Sequence, residues 1–158
     1  MKSSDVTNGE DGLATQYNDL RDDAYGASQL LAHAQSTPNL TLHVEPGAFY
    51  VGGTKIIFAG GDSANFSVPA TSNKRIDLLT INKSGALAII AGTPTTGSPT
   101  APAYPKDGSL VIAEVYCRAG MTAVKDANDS TNGYVYNDVR PFLIDRKASC
   151  RERVSSPV

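Results

Sequence analysis

Short runs of alternating apolar and polar residues fill most of this chain from residue 39 onward, and turn-forming residues separate them. The segment 41–45, Thr-Leu-His-Val-Glu, alternates as expected for a strand with one buried face. Pro46-Gly47 and Gly52-Gly53 have the composition of tight turns between antiparallel strands. The predicted strands are 41–45, 48–51, 54–59, 65–68, 75–81, 86–90, 110–117, 121–124 and 134–139. Roughly eight to ten short strands indicate a mainly β protein, an antiparallel β-sandwich or barrel-like domain preceded by an N-terminal helix.

Two segments depart from simple alternation. Residues 110–117 are apolar at nearly every position, so both faces of this strand are expected to be covered, either at the centre of a sheet or between a sheet and another packed layer. Residues 92–108 contain four prolines and three glycines. This composition predicts an extended surface loop of the same domain, because too little chain follows it to form a second core.

A helical period marks residues 13–36. Apolar residues recur there at alternating spacings of four and three, which is a heptad pattern. Gly26 and the small alanines weaken such a seam. Two interpretations remain: short helices docked on the β-domain, or an oligomerisation helix. In the second interpretation the contact residues are Tyr17, Leu20, Ala24, Ala27 and Leu31.

These patterns divide the chain into four parts: a flexible acidic arm at 1–12, the helical segment at 13–36, the β-domain at 37–145, and a disordered basic tail at 146–158. The tail has neither apolar periodicity nor turn-forming residues. It resembles read-through of non-coding or adapter sequence, so it is possibly non-native; the alternative is a genuine disordered tail.

Charge is distributed unevenly. The formal net charge is −2 over 158 residues, but residues 1–145 carry −5 and residues 146–158 carry +3. An acidic main body argues against a nucleic-acid partner, because phosphate binding requires a basic surface. No apolar run reaches the roughly 18 to 20 residues needed to span a bilayer, so no membrane insertion is expected.

Candidate chemistry is sparse. His43 and Glu45 share one strand face and could ligate a metal, but two ligands do not make a site, and a surface cross-strand role is favoured. Asp77 and Glu114 lie in strands, where a hydrolase could place paired carboxylates; alternatively, Arg75 and Asp77 form a simple surface pair.

The remaining motifs are also incomplete. A Cys117–His43 dyad is conceivable, but Cys117 lies in an apolar run typical of inert buried cysteines. Residues 126–133 place oxygen ligands on alternate positions, as a calcium loop does, but lack its glycine and glutamate and favour an Asx-rich turn. The sequence therefore predicts no catalytic residues, no metal, no cofactor and no enzymatic activity.

Carbohydrate binding is a second class of function to consider. Tyr50, Tyr104, Tyr134 and Tyr136 are the tyrosines expected to be exposed, and Trp is absent. Tyr134 and Tyr136 lie two residues apart, hence on one strand face, and form a possible ligand-binding face. The alternative is that this face packs inward or against a partner chain.

An ordered series of motifs extends over about residues 12–144. The motifs are Ala-Thr-Gln-Tyr-Asn-Asp-Leu-Arg-Asp-Asp at 14–23, Val-Glu-Pro-Gly-Ala-Phe-Tyr-Val-Gly-Gly at 44–53, Val-Pro at 68–69, Arg-Ile-Asp-Leu-Leu at 75–79, Ser-Gly-Ala-Leu at 84–87, the prolines at 102–105, Leu-Val-Ile-Ala-Glu-Val at 110–115 and Asn-Asp-Val-Arg-Pro-Phe at 137–142. In this order they resemble bacteriophage tail-fibre and baseplate-associated proteins.

The resemblance implies a structural virion component of the tail, made in the bacterial host cytoplasm, that acts by assembly. It implies partners that are copies of the chain itself, as a homotrimer, and other phage tail proteins, with a host surface glycan as a possible further ligand. No catalytic residues carry over from such domains. A carbohydrate- or cell-surface-binding β-domain is the alternative.

Overall fold

A computed structural model describes residues 29–140, which form ten β-strands and no helix. The mainly β prediction is therefore confirmed. The strands are β1 Ala32–Ala34, β2 Leu42–Val44, β3 Gly47–Val51, β4 Thr54–Phe58, β5 Gly61–Asp62, β6 Lys74–Ile81, β7 Leu87–Ile90, β8 Leu110–Arg118, β9 Val124–Lys125 and β10 Gly133–Asp138. One predicted strand, 65–68, does not form. Instead, the nearby residues Gly61–Asp62 form β5, which pairs with β2.

The largest sheet has five strands in the order β7-β6-β8-β10-β9, so β8 lies at its centre as predicted. All its neighbours run antiparallel except β9 and β10, which are parallel. The predicted loop at 92–108 is anchored on this sheet, because Thr95 exchanges two backbone hydrogen bonds of 2.9 Å with Lys74. The loop thereby belongs to the same domain.

Two smaller sheets complete the structure. Strands β1, β2 and β5 form one of them, and β3 pairs with β4 in a two-residue hairpin. Gly52 and Gly53 have φ angles of 55° and 81°, as a primed turn requires, and glycine adopts them without strain.

All three sheets contribute to one apolar core. Its fully buried members include Leu42 and Val44 from the three-stranded sheet and Val115 from β8, while Phe49 and Phe58 come from the hairpin. The hairpin and the three-stranded sheet are therefore held to the five-stranded sheet by burial of apolar surface.

The helical prediction is wrong for residues 29–36, where β1 forms instead. Leu30 is buried with a positive φ of 56°, a backbone conformation that is incompatible with a right-handed helix at this residue. Ala32 then pairs with Val44, so tertiary pairing overrides the heptad spacing. Leu31, one of the predicted oligomerisation residues, precedes this strand and lies on no helix; Tyr17, Leu20, Ala24 and Ala27 lie outside the described residues.

The expected surface pair of Arg75 and Asp77 is a second correction, because both side chains are buried, with exposures of 6% and 0%. The guanidinium donates to both carboxylate oxygens, at 2.7 and 3.0 Å, and this contact raises the pKa of Arg75. The core-facing side of β6 thus holds this ion pair. The alternation of side chains along the strand shows that Arg75 and Asp77 share a face, but it does not show whether that face meets the core or the solvent.

Replacing Arg75 by Met should lower the free energy of unfolding by about 3 to 5 kcal/mol, because it leaves a buried carboxylate without its partner. Urea denaturation followed by circular dichroism measures the change. Lys125→Met is the matched control, since its ion pair with Asp129 is solvent-exposed and should cost no more than about 1 kcal/mol. Equal losses in the two variants would contradict this account.

Candidate functional site

The two faces of the central strand β8 differ in chemistry. Directly opposed residues of antiparallel strands project to the same side. Val115 and Cys117 oppose Asp77 and Arg75 on the side that faces the core. The other side carries Glu114, Tyr116 and Arg118, so this strand is not apolar on both faces. Their spacing of two residues is the signal in the sequence that could have revealed a polar face.

Strand β10 adds two further tyrosines to that side. Tyr134 lies opposite Tyr116, and their rings stack with centroids 5.2 Å apart. A β-bulge between Val135 and Asn137 leaves Tyr136 as the extra residue, but its ring still lies 6.2 Å from Tyr134 and 6.3 Å from Tyr116. The predicted pairing of Tyr134 with Tyr136 therefore exists and is built around Tyr116, which sequence reasoning missed.

Arg118 extends this cluster with a positive charge. Its guanidinium carbon lies 5.0 Å from the Tyr116 ring and 5.7 Å from the Tyr134 ring, within cation–π range. Nη2 of Arg118 donates a hydrogen bond of 2.8 Å to the side-chain oxygen of Asn128. We call Tyr116, Arg118, Tyr134 and Tyr136 the tyrosine face. Burial raises the pKa of Tyr134 above its ordinary value.

Glu114 borders the tyrosine face, and each of its two carboxylate oxygens accepts a hydrogen bond. Glu114 accepts hydrogen bonds from the Tyr104 hydroxyl at 2.9 Å and from the Asn137 amide at 2.6 Å. Burial and the neighbouring Glu114 carboxylate raise the pKa of Tyr104 to about 12. The contact also fixes the 92–108 loop beside the tyrosine face.

The candidate carboxylate pair does not form. Asp77 opposes Val115 whereas Glu114 opposes Leu78, so the two carboxylates project from opposite faces of the sheet. They cannot act together on one substrate as an acid and a base.

The Cys117–His43 dyad does not form either. The Cys117 thiol is buried and lies 3.5 Å from an Asp77 oxygen, while Nδ1 of His43 donates to Asp62 at 2.6 Å. Burial, and secondly the Asp77 charge, raise the pKa of the Cys117 thiol, which disfavours the nucleophilic thiolate.

Side-chain oxygens of the loop 126–133 accept hydrogen bonds from the protein backbone. Asp129 accepts backbone hydrogen bonds from Thr131 and Asn132, and its pKa is lowered by these contacts and by Lys125. Asp126 accepts from the backbone of Ala34 at 2.7 Å. The Asp129 contacts are those of an Asx-rich turn, as favoured from the sequence, whereas the Asp126 contact ties the loop to β1.

The hairpin of β3 and β4 presents a second distinctive surface. Its inner face buries Phe49 and Phe58, whereas Tyr50 and Ile57 on the outer face are 70% and 72% exposed. Tyr50 is exposed as expected from the sequence. Ile57 was not singled out, although its alternation with Phe58 places it on the opposite side.

Two surfaces of the described residues are distinctive: the aromatic and cationic tyrosine face, and the outer face of the hairpin with the exposed Tyr50 and Ile57. Within residues 29–140 no helix is long and apolar enough to cross a membrane. Neither known family models nor curated protein sequences match this chain.

The Cys117 thiol should resist modification while the protein is folded. In a Cys150→Ser background, where Cys117 is the remaining cysteine, a disulfide-exchange reagent at pH 8 should react at least about 100-fold more slowly with the native protein than in urea. Glutathione measured with and without urea corrects for the solvent. Equal corrected rates would show that the thiol is accessible.

Proposed function

We propose that this chain is a non-enzymatic structural component of a bacteriophage tail, a tail-fibre or baseplate attachment domain that acts by protein–protein assembly. The observation that carries the assembly role is the outer face of the β3–β4 hairpin. Large apolar side chains exposed to about 70% are unfavourable in water and are characteristic of surfaces that a partner covers.

The geometry of the hairpin favours this role. Tyr50 lies opposite Lys55, and Ala48 lies opposite Ile57, so these four side chains share the outer face. Within the described residues, neither strand of the hairpin pairs with a third strand. Unpaired strand edges are available for pairing with another chain. The occupant we propose is a second copy of this chain, and the assembly a homotrimer.

The attribution to a phage tail rests on the ordered motifs of the sequence. Two of them have defined structural roles that suit an assembly domain. The motif at 44–53 contains β3 and the turn of the hairpin that presents the apolar face. In the motif at 137–142, Arg140 pairs with Asp138 at 2.6 Å and donates to the backbone carbonyl of Gln29 at 2.6 Å. The proposed location is the virion tail, with other tail proteins as further partners.

Light scattering should give a mass about three times the 16.6 kDa of one chain at micromolar concentration. Ile57→Asp should reduce this to the monomer mass, because a carboxylate buried in an apolar interface lacks a partner. Val68→Asp is the matched control, since Val68 is also an exposed apolar residue but lies outside the hairpin.

The outcomes separate the parts of the proposal. A monomeric wild-type protein contradicts assembly altogether. A trimer that Ile57→Asp leaves intact contradicts the role of the hairpin. Leu20→Asp then tests whether the predicted heptad segment holds the trimer instead.

The tyrosine face favours a second candidate function, binding of a carbohydrate on the host surface. Stacked tyrosines offer flat apolar area with polar hydroxyl groups at the edge, and Tyr136 is 47% exposed. Arg118 adds hydrogen-bond donors and a charge suited to acidic sugars. This function does not require a trimer.

Under this second function, Tyr136→Ala should weaken glycan binding about tenfold or more, because a stacking surface is lost. Binding to bacterial surface glycans is measured on an array and then by calorimetry. Tyr50→Ala, at an exposed tyrosine on a different sheet, is the matched control and should bind normally. Loss of binding in both variants, or in neither, would contradict a site at the tyrosine face.

A further inference from the structure

We propose that His33, His43 and Glu45 form a zinc-binding site on the outer face of the three-stranded sheet. Their candidate ligand atoms all lie within 4.8 Å of one another. In the sequence, His43 and Glu45 alone supply two ligands, which is too few for a site. The structure adds His33, which the heptad pattern had assigned to a helix but which lies on β1.

Strand register brings the three residues together. His33 lies directly opposite His43, with ring centroids 5.4 Å apart, so both imidazoles project from one face. Glu45 follows His43 by two residues, which returns its side chain to that same face. The opposite face of these strands carries Leu42 and Val44 in the core. The backbone under the three ligands is therefore fixed by core packing.

The distances suit a tetrahedral ion. Nε2 of His33 already lies 3.1 Å from Oε1 of Glu45. Ligand atoms around a zinc ion with bonds of about 2.0 to 2.1 Å are separated by about 3.3 Å. The three side chains are 35 to 40% exposed, so small rotations can close the remaining distance to His43. Two histidines and one carboxylate leave the fourth position for water.

Both imidazoles also have the outer partners that zinc-binding histidines use. Nδ1 of His33 lies 2.8 Å from the carbonyl oxygen of Ala34. Nδ1 of His43 lies 2.6 Å from a carboxylate oxygen of Asp62 on β5. Hydrogen bonds from Nδ1 to a carbonyl or carboxylate orient the ring and leave Nε2 for the metal.

The local charge favours a cation. Glu45, Asp62 and Asp126 place three carboxylates around the two imidazoles. Two separate ion pairs, His33 with Glu45 and His43 with Asp62, account for the contacts of each imidazole with a carboxylate. They do not account for the approach of the two imidazoles to each other, which brings both within 4.8 Å of the Glu45 carboxylate. A bound zinc ion would connect β1 to β2 and stabilise the edge of the three-stranded sheet.

The test uses the untagged full chain in a Cys150→Ser background, because a histidine tag or the Cys150 thiol could bind zinc in its own right. Calorimetric titration with Zn²⁺ should give one ion per chain, and Zn²⁺ should raise the melting temperature relative to EDTA. Co²⁺ should show the d–d absorption of a tetrahedral site. His33→Ala or His43→Ala should abolish saturable binding; these are the chain's two histidines.

Asp62→Asn should weaken zinc binding about 10-fold or more through the lost contact to His43. Asp107→Asn, an equivalent change at an exposed loop aspartate, is the matched control and should bind as the wild type does. All variants should melt like the wild type in EDTA, which separates metal binding from folding. Wild-type binding no tighter than that of a His33→Ala/His43→Ala double variant would overturn the proposal and leave only the two histidine–carboxylate ion pairs.

Discussion

The ion pair between Arg75 and Asp77 is the interaction on which the rest of the domain depends. Two charges removed from water are stable only when their hydrogen-bonding groups are satisfied together. Besides Arg75, the Asp77 carboxylate accepts from the backbone of Gly92 and lies beside the Cys117 thiol, while Arg75 also donates to Ser67. Strands β6 and β8 and the segments at 67 and 92 must therefore be in place at the same time.

The burial of this ion pair gives the two sides of the five-stranded sheet a different chemical character. One side of β8 faces the core and the buried charges, so its tyrosine and its arginine lie on the other side, at Tyr116 and Arg118. The hairpin and the three-stranded sheet divide their surfaces in the same manner. Each buries one face and presents the other, with Ile57 exposed on the hairpin and His43 partly exposed on β2.

The sequence predicted most of the strands, because alternation and glycine or proline turns are local signals. It also predicted the exposure of Tyr50 and the proximity of Tyr134 and Tyr136. It failed where pairing between distant segments decides the outcome. Residues 32–34 satisfy a heptad spacing, yet their partners on β2 make them a strand.

Pairing between distant segments also explains which residues of the candidate sites could not be predicted from the sequence. The burial of Arg75 depends on which face of β6 meets the core, and strand periodicity cannot distinguish the two faces. Tyr116 joins Tyr134 through the register of β8 and β10, and His33 joins His43 through that of β1 and β2. No spacing along the chain encodes either register.

The contact between Arg140 and the carbonyl of Gln29 has a consequence for how residues 29–140 are closed. These residues are 111 positions apart in sequence but joined by a hydrogen bond of 2.6 Å. The first and last described residues are thus tied to each other by a direct contact. The two ends of the described segment cannot separate without breaking this hydrogen bond, so the fold is fastened at its own boundary as well as in its core.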